Sequence, residues 1–394
     1  MLQCANLTLR KDALIFAPDP SVSLDHIVSD REMNGVPIVF YECVFTGLSI
    51  ESLEEASELS GSFGDLSQCA YLHYASYKSI MKAAIEVSVY LKYSWSKRKI
   101  HSPEEIEAFP KKFVRWIIVH FKDAMNEDEY RSSIKRFFYA RCMFVLRSRS
   151  IDEAWIEFAC RVKMLQRIML QRIVIKKKLK DDSILLLKKL VDCGNLLQLQ
   201  AREAACEGGM VEVCKSILCQ EQFEQLEITS DVDGPWKSAV VRELLQFWSQ
   251  NSEKLRGKHL FLADECKGGV KQLEEFLINR KLSALVPRTL SLPMPKCLRL
   301  LGIEWALKRC SKNECDYIDK YYRHHHTRFY NPSCVYKFEE EKGDKRRRLY
   351  ISFDYAIEDQ ITGERRDCRP ASHTGNHLLG LMRDTEILHV LFAL

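Results

Sequence analysis

The sequence predicts a mainly α-helical protein, with a solenoid-like middle of helical hairpins between small α+β elements at the N- and C-terminal ends. Three observations carry this expectation. Apolar residues recur at helical spacing from about 66 to 180, shorter helical segments with glycine pairs follow to about 310, and β-branched, aromatic runs stand near the two ends. The 394 residues suffice for two or three domains, and 46% hydrophobic with 29% charged residues excludes a disordered or collagen-like chain. Four regions follow: a small mixed region at 1–65, a basic helical region at 66–180, helical hairpins at 181–310, and an α+β region at 311–394.

Each element has its own reason. Val36 to Phe45, bounded by Gly35 and Gly47, has the composition of a buried strand. Ser49 caps the acidic helix after it, with Glu51, Glu54 and Glu55 near its N-terminal end. Residues 66–94 read as one long helix, and Ser102-Pro103-Glu104-Glu105 opens another. Phe113, Trp116, Ile117, His120 and Phe121 make one helical stripe. Ile134, Phe137, Phe138, Phe144 and Val145 make a second, and Trp155, Phe158, Ala159 and Val162 a third. The proline-bearing stretch between Leu285 and Pro295 marks a boundary. Beyond it, Val335–Phe338 and Leu349–Phe353 read as paired strands around Gly343-Asp344, and 377–394 as an amphipathic helix.

Charge is polarised along the chain. Residues 1–70 hold 11 acids against 3 bases, whereas residues 131–180 hold 14 bases against 3 acids. The basic helices either dock on the acidic N-terminal part or present Arg141, Arg149, Arg161, Arg167, Arg172, Lys176 and Lys177 to an acidic protein partner, with nucleic acid as the other anionic class. The 15 cysteines are scattered and often lie in apolar runs, as reduced core thiols do. Arg10, Lys11 and Asp12 interrupt the place of a signal-peptide core, and no apolar run is long enough for a membrane span. A cytoplasmic location is expected, or a host cytosol for a delivered protein.

Two stretches look alike. AACEGGMVEVCKSIL at 204–218 has small Ala204 and Ala205, Gly209 at a turn, and a closing Ile217-Leu218 pair. HLFLADECKGGVKQLEEFL at 259–277 offers Ala263, Gly268 and Phe276-Leu277 in the same order. This pattern resembles a divergent, partial ankyrin repeat over about 181–310. The resemblance implies stacked helical hairpins that bind proteins through loop tips and a concave side, with Ala204, Gly209, Leu218, Ala263, Gly268 and Leu277 defining the repeat.

Catalytic signatures are sparse. The phosphate-binding Gly-x-x-x-x-Gly-Lys, the dinucleotide Gly-x-Gly-x-x-Gly and the Gly-x-Ser-x-Gly elbow are absent from the sequence. His324-His325-His326 would, on a strand, turn His324 and His326 to one side as a metal-gripping pair, with Asp354 and His377 as further ligands. A solvated basic cluster explains the same residues. The expectation is therefore a non-enzymatic interaction scaffold or adaptor, effector-like in character, with no cofactor. The alternative is a nucleic-acid-binding or metal-dependent enzyme built on the C-terminal His, Asp and Arg residues.

Overall fold

The structure, a computed structural model, describes residues 36–45, 47–82, 85–122, 134, 136–137, 140–166, 170–230, 235–285, 302–342, 345–355 and 368–393. They form two units, one of residues up to Tyr74 with Tyr93–Lys97, the other of Ala75–Lys92 and Arg98 onward.

In the first unit, α1 (Ile38–Phe45) stands where a strand was expected. Its β-branched and aromatic residues suit a pleated surface, yet Tyr41 and Phe45 lie one helical turn apart. Both rings reach Phe63, at 5.6 and 5.1 Å, so packing overrides propensity. The next helix, α2 (Ile50–Ser57), starts as expected, with the Ser52 amide donating to Ser49 Oγ at 3.1 Å. The Tyr71 hydroxyl of α3 (Gly61–His73) donates to Glu54 at 2.8 Å and ties the last two helices together.

The second unit is built on a sheet, which overturns the mainly α expectation: the fold is α/β. Its strands begin with β1 (Ala75–Lys82), β2 (Ile85–Tyr93) and β3 (Lys99–Ile100). Then α4 (Pro103–Ala108) opens on the expected Ser102 cap, and β4 (Val114–Phe121) and β5 (Arg141–Leu146) follow. Four strand–helix steps come next: α5 (Glu153–Gln166) to β6 (Leu170–Ile175), α6 (Asp181–Asp192) to β7 (Leu196–Arg202), α7 (Gly209–Leu218) to β8 (Gln225–Ser230), and α8 (Val240–Asn251) to β9 (His259–Asp264). The long α9 (Lys267–Leu285) follows. The remainder holds β10 (Lys308–Arg309), α10 (Lys312–Tyr322), β11 (Arg328–Phe329), β12 (Tyr336–Lys342), β13 (Lys345–Asp354), β14 (Arg369–Pro370) and β15 (Ile387–Ala393).

Among the described residues, thirteen strands make one sheet in the order β10-β12-β13-β15-β9-β8-β7-β6-β5-β4-β1-β2-β3, and β11 pairs with β14 apart from it. From β5 to β9 every strand lies parallel beside its predecessor in the chain. Each helix from α5 to α9 packs on the next, so the helices form one layer over one sheet face. The crossover hand explains this: right-handed connections that always advance the same way must all return over the same side. Strand starts at 141, 170, 196, 225 and 259 make this a solenoid of strand–helix units.

The helical reading of 66–94 holds over 66–73, in α3, but fails over 75–93, as does that of 113–121, for a definable reason. Burial in β1 alternates residue by residue, and β4 buries Ile117, Val119 and Phe121 while Ile118 and His120 face the other way. With apolar residues on both faces, a period of 3.6 can be drawn as readily as a period of 2. The helical stripe from Trp155 holds in α5, whereas Phe144 and Val145 belong to β5. Phe138 lies outside the described residues, as do the proline-bearing boundary at 286–295 and Gly343-Asp344. The hairpin β12–β13 forms as expected. The terminal helix does not: Ile387–Ala393 buries six of seven residues, leaving no polar face, and pairs antiparallel with β9. The sulfurs of Cys160 and Cys193 are bonded to each other, joining α5 to the end of α6, against the expectation of reduced thiols throughout.

Helical hairpins at 181–310 are likewise replaced by strand–helix units. Ala204 sits in a 3-10 turn, Gly209 opens α7, and buried Leu218 ends it. Ala263 lies in β9, Gly268 in the first turn of α9, and Leu277 in its buried side. What the two stretches share is a glycine at the start of a helix that follows a strand. A Cβ at Gly268 would stand 2.4 Å from Trp236 Cδ1 and 2.6 Å from the Trp236 backbone nitrogen. The indole cannot yield, because its Nε1 donates to the Glu265 carbonyl at 2.9 Å. Gly268→Ala should therefore cost about 1–3 kcal/mol in urea unfolding. Gly380→Ala, where the added methyl meets nothing within 4 Å, is the control. Equal midpoints for the two variants would contradict the clash.

Candidate interaction face

Alternation along the parallel strands gives one set of side chains to the helices. Phe121, Phe144, Ile173, Leu199, Ile228 and Leu262 are buried on that side. The other set lines up in rows across the opposite face. One row runs Ile80, His120, Val145, Val174, Gln200, Glu227, Phe261 and His389, each in register with the next. Two residues earlier along each strand lies a second, with Lys78, Ile118, Met143, Arg172, Gln198, Gln225 and His259. Most of these side chains are half-buried rather than sealed.

The centre of this face is held by polar bonds. Arg172 Nη2 donates to Glu227 at 2.5 Å and to Gln200 Oε1 at 3.0 Å. Both charges are largely screened from water, at 21% and 16% exposure, so the pair is fixed rather than a loose surface contact. Toward β4, the Arg141 guanidinium stands 5.8 Å from the Trp116 ring, and burial lowers its pKa. His120 is pushed down to about 4, first by burial and then by Arg147, Lys78, Lys122 and Lys176 around it. It is neutral at pH 7.

At the β9–β15 end a histidine chain closes the face. Ile318 and Tyr322 of α10 pack with Tyr350 and Leu391. The 3-10 turn His324–His326 follows directly. His259 Nδ1 and His389 Nε2 share a hydrogen bond of 2.9 Å, His389 Nδ1 lies 3.4 Å from Ser352 Oγ, and His324 Nε2 lies 3.3 Å from the same hydroxyl. Phe261 stacks on His389 at 4.5 Å. Burial, then the neighbouring imidazoles, holds His259 down to about 3 and His389 well below the ordinary histidine range. Ser352, His324 and His389 are fully buried, so the chain of hydrogen bonds is sealed from solvent.

The basic residues read from the sequence part company. Arg141, Arg172 and Lys176 share the open face, while Arg149 and Lys177 are exposed in the turns after β5 and β6. Arg161 is on α5, paired with Glu157 at 2.6 Å, and Arg167 lies outside the described residues. The metal reading is also scattered. His324 and His326 occupy a 3-10 turn, not a strand, so the alternation that would align them is missing. Asp354 accepts the Tyr330 and Asn331 amides at 3.1 and 2.7 Å, and His377 is exposed. Among the described residues, no group of three or more His, Cys, Asp or Glu is placed to hold a metal ion.

Sequence reasoning missed Trp116, Gln200, Glu227, Phe261, His259 and His389 as members of one surface. The signal available for them was strand register, which a helical reading cannot supply. Among the described residues, no helix is long and apolar enough to cross a membrane. No family model matches the chain, and neither the curated proteins nor the solved structures provide a match.

Proposed function

We propose that the chain is a non-enzymatic interaction scaffold whose open sheet face seats a protein partner. One observation supports this above the others: a parallel sheet has one side sealed by helices and the other left half-exposed, with charged, amide and aromatic side chains in aligned rows. Parallel sheets are ordinarily covered on both faces, because their strands carry apolar residues on both. Trp116, Ile118, Met143 and Phe261 forgo part of their burial in the isolated chain, and a partner on this face would restore it. The fixed Arg172–Glu227 pair and the amides between add orientation.

The test is affinity capture with three versions of the immobilised chain. Trp116→Ala with Phe261→Ala alters the open face, and Arg161→Glu with Lys189→Glu alters exposed cations on the helices. Proteins bound by the unaltered chain should fall at least tenfold on the face variant and persist on the helix variant. Equal capture by both variants, or no protein captured by the unaltered chain, would refute the reading.

A further inference from the structure

The parallel strands end on a line of positive charge. Met81, Phe121, Leu146, Ile175 and Ala201 stand in register on five adjacent strands. The residue after each is a cation: Lys82, Lys122, Arg147, Lys176 and Arg202. The ladder runs on through these positions. The Lys122 amide donates to Met81 at 3.0 Å, that of Arg147 to Phe121 at 2.7 Å, and that of Lys176 to Leu146 at 3.0 Å. Because each cation follows a core-facing residue, the pleat turns it to the open face. With adjacent strands about 4.8 Å apart, the line is about 19 Å long. Lys82, Lys122 and Arg147 are exposed, and Lys176 and Arg202 half-buried.

Like charges opposite one another on neighbouring strands, here Lys122 beside Lys82 and Arg147, oppose folding. An anionic ligand laid along the line would offset that cost. Directly behind it run Ile80, His120, Val145, Val174 and Gln200, the two valines buried and the other three half-exposed, with half-exposed Ile118 and Met143 one row further back. The cations thus border a mostly aliphatic strip.

We infer that this rim docks an acidic protein segment whose carboxylates alternate with apolar side chains. The inference rests on the scaffold reading and names the class of partner. Sites for single-stranded nucleic acid set aromatic rings beside their cations for base stacking. Here the neighbours are mostly aliphatic, with the single half-buried ring of His120 among them, and Trp116 lies six residues back along β4 from Lys122, about 20 Å away.

Fluorescence anisotropy with the full chain tests it. The probes are a labelled twelve-residue peptide alternating Glu with Leu, the same peptide with Ser for Leu, and an oligo-dT of equal charge. The Glu-Leu peptide should bind most tightly, weaken with added salt, and lose at least tenfold in affinity for the Lys122→Glu, Arg147→Glu, Lys176→Glu variant. Circular dichroism of that variant should match the unaltered chain, since no core side chain is touched. A Leu-bearing peptide that binds both proteins alike, or fails to bind, would overturn the inference, as would tighter binding of oligo-dT. Should the peptide fail while captured proteins still depend on Trp116 and Phe261, the scaffold stands and only the acidic class of partner falls.

Discussion

Trp155→Ala should lower the unfolding free energy by about 3–5 kcal/mol, the range for deleting a fully enclosed indole. Trp155 is wholly buried, with its ring 5.8 Å from Phe144 and 6.1 Å from Phe121. It is the point where the first helix of the solenoid meets β4 and β5. The helix is fixed there as well, since the Trp155 amide donates to the Asp152 cap at 2.8 Å, so the backbone cannot collapse into the space left behind. Domains of ordinary stability hold about 5–15 kcal/mol, and the loss would remove a large share of it. Trp155→Phe separates packing from polarity. The indole N–H has no acceptor among the described residues, so phenylalanine keeps the ring contacts and removes an unpaired donor. It should cost well under half as much. Urea midpoints supply both numbers, and an alanine variant as stable as the parent would contradict this account of the core.

How much of this was legible depends on whether the information was local. Ser49 and Ser102 were readable as caps, because a hydroxyl meeting an amide three residues on is a short-range event. The β12–β13 pairing was readable for a similar reason, two strand-forming runs with a short connection. The amphipathic α5 was readable from Trp155, Phe158 and Ala159, all buried and on one side. The parallel strands were not. Val114 to Phe121 carries apolar residues in both phases, and only its neighbours on each side reveal that Ile117 and Ile118 face opposite ways. The face inherits the same difficulty. His259 and His389 are 130 residues apart and meet at 2.9 Å only because β15 returns antiparallel to β9. Even so, one periodic signal was present. Lys122, Arg147, Lys176 and Arg202 each close an apolar run, and a strand-based reading would have aligned them.

Acid should unfold the protein more readily between pH 7 and pH 5, by about 2 kcal/mol from His259 alone, with His389 acting in the same direction. In the unfolded chain both imidazoles titrate near pH 6.5. In the fold His259 is held down to about 3, so it takes up no proton at pH 5, and His389 is held well below its ordinary value. The unfolded state then binds protons that the folded state resists. Stability is complete above about pH 6.5 and is lost as pH falls toward the folded values, at about 2 kcal/mol for His259 by pH 5. The surroundings enforce the sign: His324, His326 and Lys258 all oppose a charge on His259, and His259 and His324 oppose one on His389. His120, held at about 4, adds to the loss. Glu224, whose pKa burial raises, works against it, because its folded form accepts a proton more easily than the unfolded one. His389→Phe isolates the pair. A phenyl ring retains the stack on Phe261 but cannot titrate, and it leaves His259 Nδ1 without its partner while Ser352 Oγ keeps His324. Stability at pH 7 should fall, while the difference between pH 7 and pH 5 should shrink. Urea melts at the two pH values read both quantities. A variant that keeps the full pH slope would mean that the acid sensitivity arises elsewhere, and a parent protein equally stable at both values would mean that the imidazoles accept protons where they stand.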